Sequence, residues 1–291
     1  MEFRKLRLSD REPYERLKEN LPDITGWEYS FDVLWIWDVR ESVEVCCGAD
    51  FMYLMSVSRG EKVFYPPLVA DPADTGRAVD ELAAYARENG FPFRMFGINK
   101  ALLPYIDTEK YAAEADRDSF DYIYSAEALM TLTGKKYHSK RNYITRFKAQ
   151  YSYEFRAYVP ADLAAIEALY DRWTTESDHE TLRLERSAIL RALKFCEALG
   201  LKIYVLEVGK ELIAFSVTAL DARGVAHGIF EKGDTRYEGV YQMINWLTAG
   251  ACFAGYSVVN REEDMGIEGL RKAKLSYNPL YLYEKYVLTE R

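Results

Sequence analysis

The sequence predicts an α+β protein with two tandem domains, each built on a mixed, mostly antiparallel sheet flanked by helices. The chain has 291 residues, which is enough for about two domains. Hydrophobic residues make up 49% and charged residues 29%, a composition typical of a folded protein with a sizeable core. The order strand, two helices, three strands, helix, strand, helix, strand occurs in each half. Such runs of strands and helices favour a sheet with helices packed against it.

The elements of the first half follow from capping residues, apolar spacing and turn residues. Ser9 and Asp10 are N-cap candidates for a helix that runs to Leu21. A helix over 75–89 is predicted because its apolar residues recur at helical spacing and Gly90 follows them. The remaining predictions are strands over 3–8, 43–47, 51–57, 62–66 and 93–97, helices over 30–37 and 100–106, and one extended segment over 111–124.

The second half repeats this order with different residues. Strands over 202–208 and 211–220 form a predicted hairpin around Gly209 and Lys210. A helix over 241–254 ends before Gly255. The remaining predictions are strands over 153–158, 225–231, 256–260 and 280–288, and helices over 160–173, 184–199 and 266–275.

These elements predict three segments. A first domain covers 1–125, a basic linker covers 126–150, and a second domain over 151–291 carries the candidate site.

The overall charge excludes a general nucleic-acid coat protein. The chain has 38 Lys and Arg against 46 Asp and Glu, which gives a formal net charge of −8. Any contact with RNA or anionic lipid must therefore come from a local basic patch.

Neither membrane spans nor metal sites are predicted. No segment approaches the roughly 18 apolar residues of a membrane span, and the N-terminus lacks the apolar region of a signal peptide. The four cysteines and three histidines show no zinc spacing. Asp178, His179 and Glu180 are adjacent, but neighbours on one loop seldom converge on an ion. We expect a reduced, cytoplasmic protein without a metal or a tightly bound cofactor.

The connection between a strand ending near Glu231 and the next helix is the first candidate site. Gly239, Tyr241 and Gln242 lie where that helix begins. Backbone N–H groups at a helix N-terminus can bind an anion or a polarised carbonyl. An ordinary strand–helix connection would show the same pattern.

A second candidate site follows the strand that ends at Asn260. An acidic segment containing Asp264 precedes a helix whose last turns are basic. Arg271 and Lys274 are three residues apart and so share one face of that helix. Helix capping would explain the order of the charges. It would not explain the Asn at the strand end, so we expect one acid and two cations to converge on a cleft.

A third candidate is the basic segment 134–148, which contains no acidic residue. Charge runs are usually solvated, and this segment would then be only a linker. However, aromatic and amide residues alternate with the cations, which suits a surface that binds phosphates and stacks on rings. The candidate polyanion-binding residues are Lys135, Lys136, His138, Lys140 and Arg141.

Three parts of the sequence resemble one known family: segment 134–142, segment 260–274, and Glu231 with Lys232 ahead of Gly239. This is the family named for the C-terminal domain of phosphatidylglycerol lysyltransferase. The resemblance covers nearly the whole chain, and its closing segment is fairly specific. That family is built from tandem GNAT-type acyltransferase domains and is similar to the Fem peptidyltransferases. The resemblance therefore implies two tandem GNAT-like domains, in agreement with the repeated order of elements.

The resemblance also implies an activity. In characterised relatives, the second domain takes an aminoacyl group from aminoacyl-tRNA and transfers it to a lipid hydroxyl. This sequence has no membrane-embedded flippase part, so the acceptor is left open as a hydroxyl or amine of a lipid-like or small molecule. The partners implied are the tRNA acceptor end or CoA, together with peripheral contact to anionic lipid.

Such a transfer needs a base, an oxyanion site and a phosphate-binding surface. Glu231 and Asp264 are both candidates for the base, and the sequence does not choose between them. The N–H groups near Gly239 suit the oxyanion. Arg271, Lys274 and the basic segment would hold donor phosphates.

Three functions are compatible with these residues. The first is transfer from aminoacyl-tRNA. The second is an acyl-CoA-dependent GNAT N-acetyltransferase, which is less favoured because loop 232–240 offers only Arg236 and Gly239 toward the usual phosphate-loop pattern. The third is a non-catalytic ligand-binding protein on the same fold.

Overall fold

The computed structural model describes residues 1–39, 43–58, 60–174 and 180–291. Asp178 and His179 lie outside these ranges. The strands are β1 Arg4–Lys5, β2 Glu44–Cys47, β3 Phe51–Ser58, β4 Glu61–Phe64, β5 Leu68–Val69, β6 Arg94–Asn99, β7 Tyr111–Ala115, β8 Asp121–Ser125, β9 Tyr153–Ala157, β10 Lys202–Val208, β11 Glu211–Leu220, β12 Val225–Gly233, β13 Val258–Asn260, β14 Tyr281–Tyr283 and β15 Lys285–Glu290.

The helices lie between groups of strands along the chain, as predicted for an α+β protein. They are α1 Arg11–Lys18, α2 Phe31–Trp37, α3 Thr75–Glu88, α4 Ala126–Thr131, α5 His138–Gln150, α6 Leu163–Thr174, α7 Glu180–Leu199, α8 Val240–Cys252 and α9 Glu268–Leu275. The strands form two mostly antiparallel sheets, which confirms the predicted fold class.

The first of two compact units contains residues 1–121, 263–268 and 282–291. Its sheet has the strand order β1-β2-β3-β4-β6-β15-β7, and β5 pairs with β3. β15 lies between β6 and β7 and is antiparallel to both. A strand from residues 285–290 thus occupies an interior position in the sheet of the N-terminal unit.

The second unit contains residues 122–262 and 269–281. Its sheet has the strand order β14-β8-β13-β12-β11-β10-β9. In β11, every residue from 212 to 219 is buried, because α6 and α8 both pack against this strand. β12 and β13 pair in parallel, whereas β9 to β12 pair antiparallel.

Two predicted extended segments are each divided between the two sheets. Segment 111–124 forms β7 and β8, and segment 280–288 forms β14 and β15. The break after β7 is a turn in which the Ser119 hydroxyl donates to Asp116 over 2.6 Å. The predicted helix over 100–106 is only a 3-10 turn at Leu103–Tyr105, where Pro104 lacks the N–H that a continuing helix needs.

The basic segment predicted as a linker folds mainly as α4 and α5 and belongs to the second unit. Helix α5 is anchored because Ile144 and Phe147 are buried in one apolar cluster with Met243 and Ile244 of α8. Burial of a large apolar side chain contributes about 1.5–3 kcal/mol. Residues 126–150 therefore form part of the unit that carries the candidate site.

The same structural motif occurs in both units. In the first unit, Arg4 binds the carboxylate of Asp10 through two hydrogen bonds, and the Arg7 N–H donates to the same carboxylate. In the second unit, Arg156 and the N–H of Val159 bind Asp162 in the same way. The motif joins a strand to the helix that follows it, β1 to α1 and β9 to α6, at an identical spacing of six residues.

Candidate functional site

The candidate site lies where β12 and β13 cease to pair. The two strands are bridged from Val225 and Val258 to His227 and Asn260, after which β13 ends and β12 continues. Glu231 on β12 and Arg261 after β13 then meet through their side chains. Arg261 Nη2 is 3.4 Å from each carboxylate oxygen of Glu231.

Glu231 is held by two elements besides its own strand. Asn245, on the buried face of α8, donates from Nδ2 to Glu231 Oε2 over 3.1 Å. The side chains of Glu231 and Arg261 remain 20% and 18% exposed. The carboxylate is therefore fixed in orientation and still reaches the surface, as a general base must.

Arg261 is surrounded by aromatic rings. Its guanidinium carbon lies 5.7 Å from the ring centre of Tyr124 and 5.1 Å from that of Tyr277, within cation–π distance. Burial raises the pKa of both phenols, so these rings are neutral at pH 7.

The segment that carries Arg261 is held in place by two of the predicted site residues. Asn260 Oδ1 accepts the N–H of Glu262 over 2.7 Å. Lys274 donates from Nζ to the carbonyl oxygens of Arg261 and Glu262, the latter over 3.0 Å. Asn260 and Lys274 thus position the loop, and Arg261 is the side chain that this loop presents to Glu231.

The N-terminus of α8 requires glycine for two reasons. Gly239 has φ of +87°, and a Cβ there would lie 3.0 Å from the carbonyl oxygen of Tyr143 on α5. Tyr241 and Gln242 follow in the first turn and are half-buried. Both residues lie at the N-terminal, positive end of the α8 dipole.

Asp264 belongs to the first unit, whereas Glu231 belongs to the second. The Asp264 side chain is completely buried, 3.2 Å from Arg117 Nη1, and accepts the N–H of Gly266 over 2.9 Å. Arg271 is half-buried on α9 of the second unit. The structure thus brings Asn260 and Lys274 together with the Glu231 cluster and places Asp264 in a separate buried ion pair.

The five candidate polyanion-binding residues of segment 134–148 divide into three groups. Lys135, Lys136 and His138 are exposed. Arg141 donates to the carbonyl oxygens of Leu132 and Gly134. Lys140 is buried and lies beside the site, with Nζ 2.6 Å from Ser276 Oγ and 4.0 Å from the ring centre of Tyr277.

Sequence analysis missed several members of the cluster. Arg261 had a detectable signal, because it directly follows the Asn that ends a buried strand. Asn245, Tyr124, Ser276 and Tyr277 carried none, since only the packing of α8, β8 and the end of α9 brings them to Glu231.

Neither a metal cluster nor a membrane helix occurs in the described part of the chain. No three His, Cys, Asp or Glu side chains among these residues are grouped as metal ligands. None of the described helices is both long and apolar enough to cross a bilayer.

Comparison with known proteins identifies the family. The family model described as phosphatidylglycerol lysyltransferase, C-terminal, matches residues 21–289. The chain belongs to this family. The resemblance predicted from segments 134–142 and 260–274 is thereby confirmed. A relative from Mycoplasmoides gallisepticum, an uncharacterized protein, is 27% identical over 184 residues; the match covers 62% of this chain and 59% of that protein.

Solved structures show the same fold in the phosphatidylglycerol lysyltransferase C-terminal family and beyond it. A protein of unknown function from Bacteroides thetaiotaomicron is 31% identical, with a TM-score of 0.91 and 99% of each chain covered. L-PGS from Bacillus licheniformis is 14% identical, with a TM-score of 0.70 and 98% and 92% covered. FemX is 8% identical, with a TM-score of 0.62 and 99% and 97% covered. The GNAT-like, FemX-like fold is therefore shared at low identity.

Proposed function

We propose that this protein transfers an aminoacyl group from aminoacyl-tRNA to a hydroxyl or amine acceptor, with Glu231 as the general base. The observation that carries the proposal is the partly exposed carboxylate of Glu231, which Arg261 and Asn245 hold beyond the end of the parallel pair β12 and β13. Family membership supports a transferase of the lysylphosphatidylglycerol synthase type.

The chemistry balances with the residues present. The acceptor oxygen or nitrogen forms a bond to the ester carbonyl carbon of the donor while Glu231 takes its proton. The negative charge that develops on the carbonyl oxygen is stabilised by Arg261 and by the positive N-terminal end of the α8 dipole. The ester C–O bond then breaks, and the departing ribose oxygen recovers the proton. Holding both substrates in this geometry lowers the barrier by several kcal/mol.

The exposed cations support a nucleic-acid donor. Lys135, Lys136 and His138 are exposed immediately before and at the start of α5. Further along this helix, Lys148 lies 3.9 Å from the ring centre of Trp246. A surface with both cations and rings suits the phosphates and bases of a single-stranded tRNA end.

The acceptor is proposed as a lipid-like or small molecule with a hydroxyl or amine. The family description names phosphatidylglycerol, a lipid that carries hydroxyls. The same exposed lysines could contact an anionic membrane surface from the aqueous side. Since aminoacyl-tRNA is a cytoplasmic compound, we place the reaction in the cytoplasm.

Acyl-CoA is the second candidate donor, because the fold is also similar to a tandem GNAT protein from the clavulanic acid pathway (11% identity, TM-score 0.56). In the connection between β12 and α8, Arg236 is the side chain available for a pyrophosphate. Its guanidinium already binds Asp234 over 2.5 Å and Glu211 over 2.8 Å. This pairing favours the tRNA donor.

The proposal is tested by Glu231→Gln, with the exposed Glu197→Gln on α7 as the matched control. Aminoacyl-tRNA carrying radiolabelled amino acids is mixed with phosphatidylglycerol vesicles or with small amines, and label in the product is counted. We expect Glu231→Gln to lower transfer by about 10²–10⁴-fold, the usual contribution of a general base. Glu197→Gln should transfer normally, and all three proteins should melt at similar temperatures.

Undiminished transfer by Glu231→Gln would refute the assignment of the base. If the unaltered protein binds aminoacyl-tRNA and transfers nothing to any acceptor, the non-catalytic alternative is supported. Transfer of label only from acyl-CoA would show that acyl-CoA, and not aminoacyl-tRNA, is the donor.

A further inference from the structure

A buried lysine adjoins the candidate site. Lys140 lies on the inner face of α5 with Ile144 and Phe147 and is only 8% exposed. Its ammonium group is directed to Ser276, which is itself exposed. Lys140 is therefore separated from the surface by a single hydroxyl group.

No acidic side chain compensates this lysine. Among the residues that the structure describes, no carboxylate lies within 4.0 Å of Lys140 Nζ; its contacts are Ser276 Oγ and the ring of Tyr277. The neighbouring charge is Arg261, which lies over the same ring. From their distances to the ring centre, 4.0 Å and 5.1 Å, the two cationic groups are at most about 9 Å apart.

The charges around Lys140 do not balance. Arg261 and Lys140 together carry two positive charges when protonated, and Glu231 supplies one negative charge. The other titratable neighbours are phenols, and burial raises the pKa of each: Tyr124, Tyr137 and Tyr277. Burying an uncompensated charge costs several kcal/mol.

Two consequences follow from this imbalance. In the unliganded protein, burial and the charge of Arg261 lower the pKa of Lys140. An anion placed beside Ser276 would raise this pKa again, because it supplies the missing negative charge.

We propose that Lys140, Ser276 and Arg261 form a subsite for a phosphate group of the donor, and that the bound phosphate stabilises the protonated form of Lys140. The inference rests on the proposed function, since the phosphate belongs to the donor of that reaction. The proton comes from the solvent and adds to the amine lone pair, and no covalent bond of the donor changes.

Phosphate fits this subsite because its oxygens accept hydrogen bonds from the ammonium and the guanidinium. The Ser276 hydroxyl, which donates to the Ala273 carbonyl over 2.6 Å in the structure, would turn to donate to the bound phosphate. An ammonium, a hydroxyl and a guanidinium are the donors that proteins use for phosphate, and Arg can bind two oxygens at once. The phosphate can come from the CCA end of tRNA or from CoA. The exposed Lys135 and Lys136 precede α5 and would extend the site along a polynucleotide.

Isothermal titration calorimetry of the whole chain tests the proposal. A CCA trinucleotide and CoA are titrated separately at several pH values up to about 10, just below the ordinary lysine pKa of 10.5, in pairs of buffers that differ in ionisation enthalpy. The difference in observed heat gives the number of protons taken up on binding. We expect the unaltered protein to take up protons in the upper part of this pH range with the probe that binds, and that probe identifies the source of the phosphate.

Two variants of the lysine sharpen the test. Lys140→Arg keeps a permanent positive charge, so it should bind the probe without proton uptake. Lys140→Met should bind at least tenfold more weakly while its circular dichroism matches that of the unaltered protein. Proton uptake by Lys140→Arg equal to that of the unaltered protein would overturn the proposal, as would binding without uptake in the unaltered protein or no binding of either probe.

The result of this binding test can be distinguished from the result of the transfer test of the proposed function. Glu231→Gln should still bind the probe and take up the proton, because binding requires no general base. If transfer depends on Glu231 and binding is insensitive to Lys140, only the phosphate subsite is refuted.

Discussion

At the scale of single residues, Lys285 and Glu28 show how the first unit buries charge. Both side chains are completely buried, with Lys285 Nζ 2.7 Å from Glu28 and 2.8 Å from Asp121. A third carboxylate, Glu263, lies 3.9 Å from the same ammonium. A Cβ at Gly97 would lie 2.8 Å from Glu28, so the backbone is packed directly against this carboxylate.

This cluster predicts a pH dependence of stability. Burial, only partly offset by Lys285, raises the pKa of Glu28 from 4.5 to about 8. The folded state therefore keeps a proton that the unfolded chain releases above about pH 4.5, so stability falls as pH rises from there to about 8. We expect Glu28→Gln to abolish this fall, which amounts to a few kcal/mol. Urea unfolding of both proteins at pH 5 and pH 8 measures it.

Stability that falls equally in both proteins between these pH values would show that another group titrates. Asp121→Asn provides a comparison within the same cluster, since it removes one of the carboxylates that bind Lys285.

At the residue scale, local sequence is enough to propose Glu231 and Asn260 as site residues, because each lies at or near the end of an apolar strand. The inward direction of Lys140 was not predicted, because exposed and buried positions alternate along α5 within a segment that is basic throughout. Only the packing of α5 decides which of these cations enters the protein.

At the scale of elements, the Arg–Asp motif links β1 to α1 in the first unit and β9 to α6 in the second. Asp162 accepts from Arg156 and from the N–H of Val159, and the hydrogen bond from Arg156 holds the pKa of Asp162 below its ordinary value. The two spacings are identical, so the motif is a marker of internal repetition that the faint similarity between the halves conceals.

Replacing Asp162 should destabilise the second unit. Asp162→Asn removes a charged partner from Arg156, and hydrogen bonds to charged groups contribute about 1.5–3 kcal/mol. The matched control is Asp171→Asn, because Asp171 pairs with Arg186 but is 61% exposed and should contribute under about 1 kcal/mol. Urea unfolding gives both values. The advantage of Asp162 should shrink as pH falls below about 4, because the unfolded chain there gains a proton on Asp162 that the folded protein, with its lowered pKa, still lacks.

Equal losses in the two variants would mean that the motif contributes no more than a surface ion pair. At this scale, the hairpin of β10 and β11 and the helix α3 were predicted with nearly their observed bounds. Segments 111–124 and 280–288 were each predicted as one element, although polar residues occupy the points where the chain changes sheets, at 116–119 and at Glu284.

At the scale of the whole molecule, each unit is assembled from separate stretches of chain. The first unit takes 263–268 and 282–291 in addition to 1–121. Periodicity identifies a strand but carries no information about which sheet it joins. This is why contiguous domains were expected, and why the position of β15 between β6 and β7 was not.

Deleting residues 282–291 should therefore disrupt the N-terminal unit. The deletion removes an interior strand together with Lys285, and leaves Glu28 and Asp121 buried without their cation. Loss of one member of a buried ion pair costs about 3–5 kcal/mol. We expect strongly increased hydrogen exchange in β6 and β7, measured by mass spectrometry. Deletion of Arg291 alone, which keeps all of β15, should leave their exchange unchanged.

If β6 and β7 remain protected without residues 282–291, the interior strand is dispensable to that sheet.

The location of β15 also has a consequence for biosynthesis. Domains usually fold as they leave the ribosome, the N-terminal one first. Here the N-terminal sheet lacks a middle strand until residue 290 has emerged, and by then every residue of the second unit has emerged as well. The earliest-made part of the protein is thus among the last to reach its native state. During translation, the unpaired strand edges of this sheet must be protected from aggregation, either by chaperones that bind the nascent chain or by rapid completion of the chain.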